Sequence, residues 1–354
     1  MTRAPVCRFV GTVLPGLLLP GVVVAGLLLG GAVPAAAMGA PRATATPAAR
    51  PAAMPAALQS AVSLPAAAPA TVTRLTATVG ALPRQWVLVA PPTANAPIDL
   101  VIALHGVGNN GGEMRAMGFE NLAIPAGVAL AFPDAAYGAW NDGRPGADVL
   151  SPDGRPADDI AFLRSLIFLS GVQMNRPIRS VGIIGFSNGA MMAARAACEM
   201  SDLVSVVAIV AGSAPEGFQS VCRPRLPVSV AIVAARGDPV VPYGGGQVAP
   251  FNGRPRGRVS GVDATVAFWA YADTCRATDD AGTPPAVPPV GATEARSCAS
   301  TRHVERFATD DAAHDWRRAG GFDTTTVVWS FVRAELPRFA DLNDLARAGL
   351  VLDD

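Results

Sequence analysis

Val181-Gly182-Ile183-Ile184-Gly185-Phe186-Ser187-Asn188-Gly189-Ala190-Met191-Met192-Ala193-Ala194 is the stretch that decides how this chain is read. A short apolar run leads into Gly-x-Ser-x-Gly, and helix-forming residues follow at once. Five residues of that pattern occur by chance, and a Gly-flanked turn with a capping serine is the plain alternative. The order strand, sharp turn, helix gives the pattern its weight. Two glycines let backbones approach where the turn is tightest and push Ser187 outward at a helix N-terminus. Free N–H groups and the helix dipole favour negative charge there.

The same alternation continues on both sides. Short apolar runs of the buried parallel type lie at Leu100–Leu104, Val128–Phe132, Val181–Ile184, Val204–Val210 and Val228–Ala234. Amphipathic helical stretches separate them, notably Ile160–Leu169, Ala190–Cys198 and Asp263–Thr274. Thr71–Thr78 and Gln85–Ala90 read as an opening hairpin broken by Gly80 and Pro83. The expected architecture is α/β, with a mostly parallel sheet covered by helices on both faces, over residues 71–336.

A serine nucleophile needs a base, and the base needs an acid to orient it. On such a sheet the order along the chain is Ser, acid, His, each on a loop beyond a strand's C-terminal end. Asp238 follows the run Val228–Ala234 through Arg236-Gly237 and is the expected acid, although a turn role also fits. Asp202 and Asp263 sit at helix edges, where capping explains them better. Of the three histidines, His105 precedes the serine and is expected to be structural, and His303 falls within the strand Arg302–Phe307. His314, in the loop after that strand, is the expected base. Two backbone N–H groups, those of Asn188 and Val107, are the expected donors to the substrate oxyanion.

Charge divides the chain. All 28 cations are Arg, and the first acid is Asp99. Residues 1–98 carry six Arg and no acid, whereas residues 99–354 carry 22 Arg against 28 acids, so the net charge of zero hides two unlike parts. No basic domain of the kind that binds nucleic acid is present. Arg3 and Arg8, the apolar stretch Phe9–Val33 and the exit Pro34-Ala35-Ala36-Ala37 predict a signal peptide over 1–37, cleaved after Ala37. An uncleaved anchor is the alternative, since about 25 apolar residues span about 37 Å as a helix. Residues 38–70, almost all Ala, Pro and Thr, read as a disordered linker. Cys7 leaves with the signal peptide, and the even remainder, Cys198, Cys222, Cys275 and Cys298, reads as two disulfides in an exported chain. Nearest-neighbour pairing gives 198–222 and 275–298, but spacing alone leaves connectivity open. No metal site, no cofactor and no stable membrane span after cleavage are expected, and a monomer is.

Leu104-His105-Gly106, Pro133-Asp134-Ala135, Trp140-Asn141-Asp142-Gly143-Arg144, Asp158-Asp159, Gly185-Phe186-Ser187-Asn188-Gly189 and Asp238-Pro239-Val240-Val241-Pro242-Tyr243 occur in this order. Together they resemble the exported polyhydroxybutyrate-depolymerase and feruloyl-esterase group of α/β-hydrolases over about residues 85–335. The resemblance implies Ser187, Asp238 and His314 as a catalytic triad and supports two disulfides. It also implies hydrolysis of carboxylic esters, polymeric ones among them, outside the cytoplasm or in the cell envelope. The chain departs from the group at Ala313-His314-Asp315-Trp316-Arg317-Arg318, where Gly-Gly-His-x-Trp-Pro-Gly is usual, and at Val107, where Cys is common. The tail 337–354 is not covered. Only Ala211–Pro227 separates two adjacent apolar runs, too short for a large lid, so an open serine is expected, with Trp140 and Trp316 either at its rim or in the core. An acyltransferase, a peptidase and a non-catalytic exported polymer-binding protein are the rival readings.

Overall fold

A computed structural model describes residues 69–92, 97–145, 155–273, 275–277, 292–298, 302–317 and 321–336; for 275–277 and 292–298 only the backbone is described. The signal peptide, all but the last two residues of the linker, and the tail expected from sequence lie outside these residues.

In chain order the elements are β1 (Thr71–Val79), β2 (Leu82–Ala90), β3 (Ile98–Leu104), α1 (Gly111–Arg115), α2 (Glu120–Ala123), β4 (Ala129–Pro133), α3 (Asp159–Met174), β5 (Ile178–Phe186), α4 (Asn188–Glu199) and β6 (Val204–Val210). There follow α5 (Phe218–Val221), β7 (Ser229–Ala235), β8 (Gly246–Gln247), β9 (Arg258–Val259), α6 (Val262–Ala272), β10 (Cys275–Ala277), β11 (Ala292–Cys298), β12 (His303–Thr309) and α7 (Thr324–Glu335). Ten strands form one sheet in the order β1-β2-β4-β3-β5-β6-β7-β12-β11-β10. The six central strands, from β4 to β12, run parallel. Antiparallel pairs close both edges.

Both faces of the centre are covered, which is why its strands read as continuous apolar runs rather than alternating ones. In β3, Leu100, Ile102 and Leu104 pack toward α3, α4 and α6, while Val101 and Ala103 pack toward α1, α2 and α7. Every residue of β3, β6 and β7 is buried. The expected helices all form, each extended or shifted by a few residues.

Cys198, at the end of α4, is bonded to Cys222, with Cα atoms 5.7 Å apart, tying the segment after β6 to the helix behind the serine. The register of β10 with β11 sets Cys275 directly opposite Cys298. The side chains of that second pair lie outside the described residues.

Candidate active site

Ser187 sits between β5 and α4 with φ 54° and ψ −116°, a conformation that side-chain-bearing residues rarely adopt. Its N–H donates to Val210 O at 2.9 Å, anchoring the turn to the neighbouring strand β6. The flanking glycines are required by contact with backbone. A Cβ on Gly185 would stand 2.1 Å from Gly189 O, and one on Gly189 would stand 2.4 Å from Leu104 O. Neither carbonyl can yield as a flexible side chain would.

Residues far apart in sequence meet at this turn. His314 Nε2 lies 2.9 Å from Ser187 Oγ, and His314 Nδ1 lies 2.8 Å from Asp238 Oδ2. A carboxylate only accepts, so Nδ1 carries the proton and Nε2 is free to accept from the serine hydroxyl. The other oxygen of Asp238 accepts from Val240 N at 2.8 Å and Val241 N at 2.9 Å. Those two bonds orient the carboxylate within the Asp-Pro-Val-Val turn. Phe186 packs on His314 with ring centroids 5.4 Å apart.

Asn188 opens α4, so its N–H has no carbonyl within the helix to bond. In the turn after β3, the described backbone bonds come from Gly108 N to Gly138 O and Asn109 N to Gly106 O, not from Val107 N. Both expected oxyanion donors line the same cleft as Ser187 and His314.

His105, expected from the sequence to be structural, has both ring nitrogens engaged with backbone groups. Its Nε2 accepts from Ala135 N at 3.0 Å, and its Nδ1 faces Gly106 O at 2.7 Å. A carbonyl cannot donate, so Nδ1 is the protonated nitrogen and both ring nitrogens are occupied. Burial lowers the imidazole pKa, keeping it neutral, against a smaller opposing effect of the Gly106 carbonyl. His303 pairs instead with Glu335 at 2.9 Å, away from the serine. Asp202 pairs with Arg164, and Asp263 accepts from Tyr243 Oη and Arg306; neither is the N-cap expected of it.

Sequence reasoning singled out Trp140–Arg144 as a motif and Trp140 as a rim or core residue, but did not foresee that this loop holds the side chain of Asn188, the expected oxyanion donor. The Asn188 side chain accepts from Trp140 N at 2.7 Å and donates to Trp140 O at 3.0 Å and to Asp142 Oδ2 at 2.6 Å. Trp140 Nε1 donates to His105 O at 2.9 Å. Trp140 is fully buried, and Trp316 is buried between Phe119 and Phe186, so both are core residues rather than rim residues. The signal for this loop was its match to a motif, which names residues but not what they touch.

The cleft holds about 230 Å³ and is walled on one side by Val240, Val248, Pro250 and Phe251. No insertion follows β6, as the short gap there implied, but Ser187 is only 7% exposed. The openness expected of it is therefore not found, because the segment after β7 supplies the wall. A larger depression of about 380 Å³ beside β2 contains none of these residues.

A parallel sheet carrying a strained serine turn at a strand's C-terminal end, with an acid after β7 and a histidine after β12, defines the α/β-hydrolases. No family model matches the chain. It is 32% identical over 261 residues to "Putative esterase NocK" of Nocardia uniformis subsp. tsuyamanensis, an alignment covering 70% of this chain and 74% of that one. The chain belongs to this esterase family of α/β-hydrolases and is a carboxylic ester hydrolase. It is also 27% identical over 174 residues to "Feruloyl esterase B" of Piromyces equi, covering 46% of this chain and 30% of that protein. Among solved structures, an acetyl xylan esterase from Aspergillus awamori superposes with a TM-score of 0.47 at 12% identity, covering 67% of this chain and 92% of that one.

Proposed function

We propose that the chain is an exported serine esterase that works through an acyl-enzyme, with Ser187 as nucleophile, His314 as general base and Asp238 as its orienting acid. The observation that carries the reading is the unbroken relay of 2.9 Å and 2.8 Å from the strained Ser187 through His314 to Asp238. Ser187 Oγ attacks the ester carbonyl while His314 Nε2 takes its proton. The new oxyanion is held by the N–H groups of Asn188 and Val107. His314 then protonates the leaving alcohol, and water, activated by the same histidine, releases the acid. Feruloyl, acetyl or hydroxyalkanoyl esters, including polymeric ones, are the substrate classes we infer. The name of the Piromyces relative supports the first of these. Export is supported by the Cys198–Cys222 disulfide, a bond that persists in oxidising compartments.

Ser187→Ala should lower p-nitrophenyl ester turnover by about 10⁴-fold or more and abolish labelling by a fluorophosphonate. Turnover within tenfold of wild type in that variant would remove Ser187 from the mechanism. A labelled enzyme that passes acyl groups to added alcohols faster than to water would replace hydrolysis with acyl transfer.

A further inference from the structure

Phe251 lines the cleft beside Ser187 and takes no part in the steps above. The local sequence puts it there. Asn252 and Gly253 follow it with φ of 50° and 73°, the left-handed pair that a tight two-residue hairpin turn requires. Phe251 and Arg254 close that turn: Phe251 N donates to Arg254 O at 3.1 Å, and Arg254 N donates to Phe251 O at 3.0 Å. Phe251 is thus the last residue of one arm, at the tip of the segment between β8 and β9.

The root of this hairpin is fixed. Val248 N donates to Gly257 O at 3.0 Å, Ala249 N to Val240 O at 2.9 Å, and Glu216 N to Arg258 O at 3.1 Å. Val241, Val248 and Val259 are buried with Met191, one helical turn beyond Ser187, in a small cluster of their own. The tip reaches across to the turn after β3. A Cβ on Gly108 would stand 2.8 Å from Phe251 Cζ, so the ring rests where only a glycine leaves room. Gly108 adjoins Val107, the proposed oxyanion donor, and its own N–H is anchored to Gly138 O at 2.8 Å. The ring therefore bears on a turn held from behind. It keeps 39% of its surface exposed, which leaves part of it free to meet a ligand.

A cleft of about 230 Å³ lies below the range of about 300–1,000 Å³ common for sites that enclose drug-sized ligands. We infer that Phe251 is a specificity-determining residue: its ring, set across the cleft on the side of Gly108, fixes how long an ester arm the cleft encloses. A polymeric ester is then bound with one short unit inside and the rest of the chain outside. This rests on the serine-esterase reading and names what selects the substrate of that site.

Two ester series test it: p-nitrophenyl esters from acetate to dodecanoate lengthen the acyl arm, and alkyl acetates from methyl to decyl lengthen the alcohol arm. Each methylene that becomes buried is worth about 0.8 kcal/mol, or about fourfold in kcat/KM. In at least one series, wild type should gain by up to about that factor per carbon and then fall once the arm meets the ring. In that series Phe251→Ala should raise the ratio of kcat/KM for the longest ester to that for the shortest by about tenfold or more. Phe251→Leu, which keeps an apolar contact on Gly108, should raise it by a smaller factor. A variant that merely folded less well would lose activity on all chain lengths together and leave the ratio unmoved. A ratio unchanged or lowered by both variants in both series would overturn the role of Phe251 while leaving the esterase intact. No turnover by wild type in either series, together with no fluorophosphonate labelling, would instead sink the esterase reading and this inference with it.

Discussion

Residue roles around the serine divide by which atoms are already occupied. His105 and His314 are both buried or nearly so and both stand beside the same turn, but only His314 offers an unprotonated nitrogen to Ser187. His105 is a brace: it receives Ala135 N and orients the Gly106 carbonyl, and its neighbour Trp140 bonds the His105 carbonyl. His105→Ala should therefore destabilise the fold by about 1–3 kcal/mol, the cost of leaving a buried N–H unsatisfied. Fluorophosphonate should still label Ser187 in the folded fraction. Loss of labelling with unchanged stability would make His105 a participant in the chemistry. Chain order alone separated the two histidines in the sequence. Asn188 was legible only as a backbone donor; that its side chain clamps Trp140 and Asp142 depends on a loop 46 residues away.

Elements were legible where burial on both faces wrote a continuous apolar run, as in β3, β6 and β7. They were hidden where tertiary packing overrides local preference. Helix α7 begins Thr324-Thr325-Thr326-Val327-Val328, five β-branched residues that read against a helix. It forms because Asp323 caps it, accepting from Thr326 N at 3.2 Å, and because Val327, Val328, Phe331 and Val332 cover the sheet. Strands β10 and β11 carry no such run and gain their place by pairing, β11 with β12 and β10 with β11.

Asp273, just past α6, shows how an element end can store a pH dependence. It is 1% exposed and accepts from Val228 N at 3.2 Å. Burial pushes its carboxyl from 3.8 up to about 7, against the opposing effects of the Val228 N–H and Arg302. Between those values the folded chain holds a proton that the unfolded chain has lost. Its contribution to stability is therefore complete below about pH 3.8 and is lost as pH rises through about 7. Denaturant unfolding at pH 4, 6 and 8 should show wild type losing stability over this interval relative to Asp273→Asn. Parallel pH profiles for the two proteins would count against the assignment.

At the scale of the whole molecule, the charge division seen in the sequence gains a meaning. Once Arg3 and Arg8 leave with the expected signal peptide, 26 Arg stand against 28 acids; the segment 38–70 carries two Arg and no acid, and the acidic excess is shared between the catalytic domain and the tail 337–354. None of the residues assigned to the proposed chemistry falls in the Ala/Pro-rich segment 38–70. Deleting residues 38–70 should leave kcat/KM on a soluble p-nitrophenyl ester within about twofold of the full chain. A loss of tenfold or more would give the segment a part in catalysis.

Sequence by itself determined the class of this protein. Short apolar runs alternating with helical stretches fit a covered parallel sheet, and Gly-x-Ser-x-Gly between strand and helix fits a tight turn that presents its serine. Tertiary structure alone decided the substrate-facing chemistry. The serine's exposure depends on the segment after β7, and Asn188 depends on the Trp140–Arg144 loop. Arg144 is buried in an ion pair with Asp142 beside the nucleophile only because the chain folds that loop over α4. Such facts depend on which distant side chains exclude water together, and no local pattern in the sequence records that.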